Sequence, residues 1–344
     1  MRLSGRVTVE QGVLQLALTW NGRQILAAGV ASTRPLAARA LRGFSFARVL
    51  EFLPRLFSLC RCAQDVAARL CLSAARGQRP TIAATPAQTQ AVALEVIGEH
   101  LWRLLLDWPS LHGEPSRQNE FLLWRKQLLG LADAGDGTDG RGAAAFGARL
   151  LAWLDHQGPP RCEERMLAAP VALLPRLSAA DWESHFGDDG FAERPTFSGE
   201  AAETGVLARQ AEDPEVAALL SDGRRLQARL QARYADLREL AQGLTEAEQR
   251  STWIDVLEVA EGCGLARVET ARGTLLHRVE LDGDRVARYA IVAPTEWNFH
   301  PQGAFVREMT GRPAATRAEA ALAARRLALA LDPCVPFAVT VKDA

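Results

Sequence analysis

The change of hydrophobic period along the chain constrains its fold more than any other feature. Near the N-terminus Arg6-Val7-Thr8-Val9-Glu10 alternates, and Leu14 to Trp20 continues in the same style. That is the period of a strand with one buried face. Asn21-Gly22 then separates two apolar runs and predicts a tight hairpin. From about Phe44 the period becomes helical, with Pro54 expected to end or kink the first helix. A second helical stretch runs from Cys60 to Ala75. A long helix is expected from Thr85, its cap, with Pro86 in its first turn, to about Trp108. Leu94, Ile97, Leu101, Leu104 and Leu105 stand on its apolar face. Further helices are predicted over 118–132, 144–156, about 213–242 and, after Thr316, about 317–330. Strand signals return late, as Leu275–Leu281 and Val286–Val292 flanking Asp282-Gly283-Asp284.

The expected fold class is α+β and mostly helical. A β-rich start covers 1–33, a helical core 44–260, and a β-hairpin, final helix and C-terminal cysteine motif 265–344. The Gly-rich stretch 134–142 reads as a flexible surface loop, and 181–204 as irregular. No repeat, heptad or clean linker divides the chain, so 1–344 is expected to be a single domain. With 48% hydrophobic and 24% charged residues and a formal net charge of -1, the chain is not expected to bind nucleic acid or membranes. Its first residues hold no apolar run of signal-peptide length, and no stretch approaches roughly 18 apolar residues. A cytoplasmic protein is therefore expected. The arginines between Arg224 and Arg238 read as a solvated helix face.

The six cysteines are expected to be thiols. Cys60 and Cys62 form a C-x-C pair, and Cys334 closes Asp332-Pro333-Cys334. No C-x-x-C pair suggests structural zinc. Cys71, Cys162 and Cys263 read as small packed side chains.

Several segments, in order, resemble the large subunit of nickel–iron hydrogenases. Leu331-Asp332-Pro333-Cys334-Val335-Pro336-Phe337 looks like that family's D-P-C-x-x-C motif. Glu269-Thr270-Ala271-Arg272-Gly273 with His277 looks like its E-A-P-R-G…H segment. Val292-Ala293-Pro294-Thr295-Glu296-Trp297-Asn298 with Pro301 matches V-x-P-T-x-W-N…P. Glu203 to Arg209 is similar to E-x-G-P-L-A-R, Pro54 to Cys60 to P-R-I-C-G-I-C, and Arg2 to Val7 to the R-I-E-G-H-L start. The middle, from about 78 to 185, is covered only loosely.

The resemblance implies a shortened large-subunit-like fold whose metal-binding positions have been thinned. Of the four cysteines that hold the family's bimetallic centre, Cys60 and Cys334 remain, while Phe57 and Phe337 occupy the other two positions. Phenylalanine cannot ligate a metal, so no nickel is expected. Gln64 replaces a family histidine, and Ser4 replaces a proton-relay glutamate. Hydrogen turnover is therefore not expected. The resemblance places Arg272 and the Ala293-Pro294-Thr295 turn around cyanide ligands of iron, which makes Arg272, Pro294 and Thr295 the candidate residues for an Fe(CN)2CO unit ligated by Cys60 and Cys334. Such a unit with two thiolates is a dianion and needs cationic, donating surroundings. Those surroundings also predict thiolates at Cys60 and Cys334. Thr340 stands where the family's precursor is clipped, so no clipping is expected.

The chain resembles the HupK/HoxV group of hydrogenase accessory proteins. This implies a scaffold that receives the iron unit from a small chaperone of the HypC type and passes it to the immature large subunit. Two alternatives stay open. One is a metal-free structural or protein-interaction scaffold. The other is an enzyme with a rebuilt centre using Cys62 or His277. The bland readings are packing for Cys62, a structural hydrogen bond for His277, an exposed loop position for His300, a packed indole for Trp297 and an amide on nearby backbone for Asn298.

Overall fold

The computed structural model describes residues 12–34, 37–57, 59–78, 84–134, 140–162, 170–187, 190–246 and 253–344. The expected strand at 6–10, the Arg2 to Val7 motif with Ser4, and most of the loop at 134–142 lie outside the described residues.

Strands β1 (Leu14–Trp20) and β2 (Ile25–Ser32) form the expected antiparallel hairpin. Its turn closes because Asn21 Oδ1 accepts the N–H groups of Arg23 (3.0 Å) and Gln24 (2.9 Å), while Gly22 takes φ +90°. Leu14, Leu16 and Leu18 alternate inward. Helix α1 (Phe46–Leu56) passes through Pro54 and stops two residues later, and α2 (Arg61–Ala75) follows.

Helix α3 (Pro86–Trp102) opens on a capping box in which Thr85 Oγ1 accepts the Gln88 N–H and Gln88 Oε1 accepts the Thr85 N–H. The single helix expected to Trp108 instead widens into a π-type turn over Arg103–Asp107 before α4 (Trp108–Leu111). Pro109 supplies the reason: it has no N–H for the Leu105 carbonyl and its ring crowds it. That carbonyl accepts the Arg117 N–H at 2.8 Å instead.

Next come α5 (Gln118–Ala134), α6 (Arg141–Gln157), β3 (Ala172–Leu173), α7 (Ala179–Glu183), β4 (Ala202–Glu203), α8 (Val206–Arg209), α9 (Pro214–Ser221) and α10 (Arg225–Glu246). The helix expected over 213–242 is two helices, broken where Gly223 takes φ +71°. The chain then runs as an antiparallel meander of β5 (Ile254–Ala260), β6 (Cys263–Thr270), β7 (Gly273–Asp282) and β8 (Arg285–Val292). β5 and β6 were not expected, and β5 begins inside the stretch read as helical core. Short α11 (Pro294–Asn298) and α12 (Ala304–Met309) lead to α13 (Arg317–Leu331) and β9 (Phe337–Asp343). β9 pairs in parallel with β1, so the first sheet has the order β2-β1-β9.

Two packings position the site. Helix α2 lies directly on the four-stranded sheet, so close that a Cβ on Gly264 would stand 2.1 Å from the Cys71 carbonyl oxygen. The three-stranded sheet packs through Leu14, Leu16 and Leu18 on α12 and α13. The first packing fixes the start of α2 relative to the β6–β7 turn, and the second fixes the end of α13. Among the described residues, no helix is long and apolar enough to cross a membrane.

The arginine face of α10 is not solvated. Arg225, Arg229 and Arg233 are buried and ion-paired, with Glu203, Glu308 and Asp332 as partners, while Arg238 stays outside with Asp155. The helix is enclosed by α6, α8, α9 and α13, so its stripe of three arginines at four-residue intervals points into the molecule.

Candidate functional site

Cys60 caps the start of α2 in the left-handed region, at φ 45° and ψ 33°. Helix starts leave N–H groups without helical partners. Here two carboxylates from α3 take them. Glu99 Oε1 accepts the Cys60 N–H at 2.9 Å, and Glu95 accepts those of Cys62 (2.6 Å) and Ala63 (3.0 Å).

Arg272 sits in the two-residue turn between β6 and β7. Thr270 Oγ1 accepts the Arg272 N–H at 3.1 Å and donates to the Gly273 carbonyl at 2.9 Å. Gly273 takes φ +127°, and a Cβ there would lie 2.5 Å from the Thr204 side chain. Gly205 takes φ +112°, with a Cβ 2.9 Å from the Arg272 carbonyl oxygen. The two glycines let the turn lie against residues 203–205. From there the buried guanidinium meets Glu99 and, at 3.4 Å, Asp332, and its Nε has no hydrogen-bond partner.

Asp332 ends α13 at φ 56° and accepts from Arg103 Nε (2.7 Å) and Arg233 Nη1 (3.0 Å). Those arginines, with Arg272, hold its carboxyl far below the usual range despite burial. Among the described residues only Cys60, Ser198 and Asp332 are non-glycine positions with positive φ. Two of the three flank this site, where backbone strain is commonly held.

Pro294 opens α11 and Thr295 follows it. Thr295 Oγ1 donates to Cys334 Sγ at 3.1 Å and accepts the Cys334 N–H at 3.2 Å. Arg34 Nη1 donates to the same sulfur at 3.5 Å and pairs with Glu296 at 3.5 Å, while Arg34 Cζ lies 5.3 Å from the Phe57 ring centroid. Phe57 therefore packs beside the site whose ligand position it occupies in the motif.

The structure thus brings together Cys60, Arg272, Thr295 and Cys334, with Pro294 behind Thr295. Both thiols lie within the fields of Arg34 and Arg272. The expectation of a Cys60 thiolate is not met. Burial, the Glu99 carboxylate and Cys334 push its thiol well above the ordinary range, against Arg272. Burial also raises Glu99 and Glu296, and takes Glu95 up to about 7. Cys60 is buried and Cys334 partly exposed. A cavity of about 910 Å³ opens beside Arg34, Phe57, Thr295 and Glu296. Among the described residues, no three His, Cys, Asp or Glu side chains converge on one metal position.

His277 makes structural hydrogen bonds, at 2.9 Å, to Gln64 and Tyr289. Asn298 donates to the carbonyls of Arg272 and Leu331 and accepts the Thr204 N–H, tying three site segments together. Trp297 is fully packed, with its indole N–H unpartnered. His300 is buried rather than exposed, because the loop folds back and the ring nitrogen accepts the Gln302 N–H. Cys71, Cys162 and Cys263 are buried, and Cys62 is half-buried beside Glu95. Sequence reasoning missed Arg34, Glu95, Glu99 and Arg103. The last three stand at four-residue intervals in an apolar helix, a signal that one face holds buried charge.

The architecture is that of a nickel–iron hydrogenase large subunit, α+β and shortened. It is similar to a NiFeSe hydrogenase from Desulfovibrio vulgaris Hildenborough, with TM-score 0.64, 15% identity, and coverage of 94% of this chain and 98% of that one. It is also similar to an NAD+-reducing NiFe hydrogenase, with TM-score 0.60, 14% identity and coverage of 90% and 92%. The profile of the nickel-dependent hydrogenase family matches residues 216–340.

The chain belongs to the HupK/HoxV family of hydrogenase expression/formation proteins. It is 31% identical to HupK of Bradyrhizobium diazoefficiens over 91% of both chains. It is 34% identical to HupK of Rhizobium leguminosarum over 84% of this chain and 85% of that one. With HoxV of Cupriavidus necator it shares 31% identity over 90% and 92%.

Proposed function

We propose that this protein serves hydrogenase maturation in the cytoplasm as a scaffold without hydrogenase activity of its own. It takes an Fe(CN)2CO unit from a small HypC-type chaperone, holds it between Cys60 and Cys334, and passes it to the immature large subunit. Membership of a family of expression/formation proteins supports the role in maturation. One observation carries the finer reading. The single cysteines left from the two motifs lie within the fields of the same two guanidiniums, with the Thr295 hydroxyl already on one sulfur.

The chemistry fits a carrier. Iron that brings three diatomic ligands needs few from the protein, so two sulfurs hold it without enclosing it. Arg34 and Arg272 offset the anionic charge, and Thr295 and Arg34 supply donors. Phe57 and Phe337 leave no thiolate set for nickel. Arg34 and Thr295, which both touch the partly exposed Cys334, line the cavity and would give the cargo a way in and out.

A second reading, a metal-free scaffold with the large-subunit fold, draws support from the carboxylates. Glu99 and Asp332 already offset Arg272, and burial keeps Cys60 protonated.

Infrared spectroscopy separates the two. Protein from a host with the hydrogenase maturation machinery should show cyanide and carbon monoxide stretches that vanish in Cys60→Ala and Cys334→Ala. Folded wild-type protein without those bands would favour the metal-free scaffold.

A further inference from the structure

Behind Cys60 a line of hydrogen bonds runs into the four-stranded sheet. Gln64 lies one turn along α2, and its Nε2 is 3.9 Å from Cys60 Sγ. Its Oε1 is 2.9 Å from Nε2 of His277 on β7. His277 Nδ1 is 2.9 Å from the hydroxyl of Tyr289 on β8. All of these residues are buried, and the Gln64 N–H donates to the Cys60 carbonyl at 3.0 Å, which fixes amide and sulfur to one helical turn.

The line has a direction. An amide oxygen only accepts, so His277 Nε2 carries a proton. Burial takes the imidazole down to about 3, so the ring carries just that one. Nδ1 is then bare and accepts from the Tyr289 hydroxyl. The NH2 group of Gln64 is left facing the sulfur. Every proton in the line therefore points toward Cys60. The reverse arrangement would set the amide oxygen against a metal-bound sulfur, lone pair to lone pair.

We infer that Gln64 is a positioning residue for the iron unit: its amide, aligned by His277 and Tyr289, donates to the Cys60 sulfur and lowers the electron density that sulfur gives to iron. The inference rests on the reading above, in which Cys60 ligates the cargo. A donor to a thiolate is a charge-assisted hydrogen bond, and aligned donors strengthen one another. The Tyr289 hydroxyl acts only through the ring between, by fixing its tautomer.

The test uses the loaded protein and its Gln64→Leu, Gln64→His and Tyr289→Phe variants, with the Gln64→Leu/Tyr289→Phe double variant. Loss of the donor leaves more charge on iron and more back-donation into its ligands. Carbon monoxide and cyanide stretches are expected at lower wavenumber in Gln64→Leu and in Tyr289→Phe, with no further shift in the double variant. Gln64→His, which restores an N–H, should return them toward wild type. Unmoved bands in either single variant overturn the inference and leave the iron-carrier reading intact. Wild-type protein without bands overturns that reading instead, and 15N NMR of the metal-free protein then decides the alignment. An Nε2-protonated His277 that becomes Nδ1-protonated or mixed in Tyr289→Phe supports the directed line. An Nδ1-protonated ring in the wild type, or an Nε2-protonated ring unchanged in Tyr289→Phe, refutes it.

Discussion

Thr295 and Cys334 hold each other twice: the hydroxyl gives its proton to the sulfur at 3.1 Å and takes the cysteine's N–H at 3.2 Å. The α11 turn thereby sets both the backbone and the side chain of the C-terminal cysteine. Thr295→Val keeps the shape and removes both bonds. A partly buried N–H left unpaired costs about 1–3 kcal/mol. The variant should unfold at lower urea concentration and retain less iron after purification, whereas Thr295→Ser should restore both. Equal stability of Thr295→Val and wild type in urea titrations would argue against this pairing.

Gly273 is expected to tolerate no side chain. At φ +127°, with Thr204 2.5 Å from a would-be Cβ, Gly273→Ala meets backbone strain and a clash together. Relief moves the turn that carries Arg272. A loss of at least about 2 kcal/mol in denaturant unfolding is expected, with loss of any iron bands.

Arg229 is paired with Glu203 and Glu308 in a fully buried cluster. Arg229→Met leaves two buried carboxylates to Arg225 alone and should destabilise the protein by roughly 3–5 kcal/mol. Arg238→Met, on the same helix but exposed, should change stability by less than about 1 kcal/mol. Paired denaturation curves make the comparison. Similar effects at both positions would contradict the buried network.

Glu95 gives a pH signature. Its folded pKa, about 7, stands above the unfolded value near 4.5, so the folded state binds more protons between those values. Its contribution to stability is present below the unfolded value and is lost as pH rises through about 7. Relative to Glu95→Gln, the wild type should lose on the order of 2–4 kcal/mol between pH 4.5 and 7.5. A stability difference that stays flat across that range would show that Glu95 does not titrate in this way.

Parts of this were legible in the sequence because their cause is local. Asn21-Gly22 announced the hairpin through turn chemistry, and Thr85-Pro86 announced α3 through its cap. Cys60, Arg272, Thr295 and Cys334 came from motif resemblance, and the structure gathers them. What escaped depends on distant partners. The α10 arginines have the spacing of an exposed face, and only Glu203, Glu308 and Asp332, from other segments, turn them inward. The Cys60 thiolate failed because counting nearby cations omitted burial and Glu99. The π-type turn needed Pro109 to be weighed against the apolar spacing that runs through it.

The parallel pairing of β9 with β1 also sets a timetable. Cys334 lies 274 positions after Cys60 (334 minus 60), and the strand that anchors it runs on to Asp343. At roughly 5–20 residues per second of synthesis, Cys60 exists for on the order of tens of seconds before its counterpart is made. A growing chain therefore presents Cys60 without Cys334, and on the proposed reading a delivery protein that docked early would find only half a receptacle. On the proposed reading, the two-cysteine grip forms only once the last strand slides in beside the first, and taking on cargo would then be an event of the folded molecule and not of its birth.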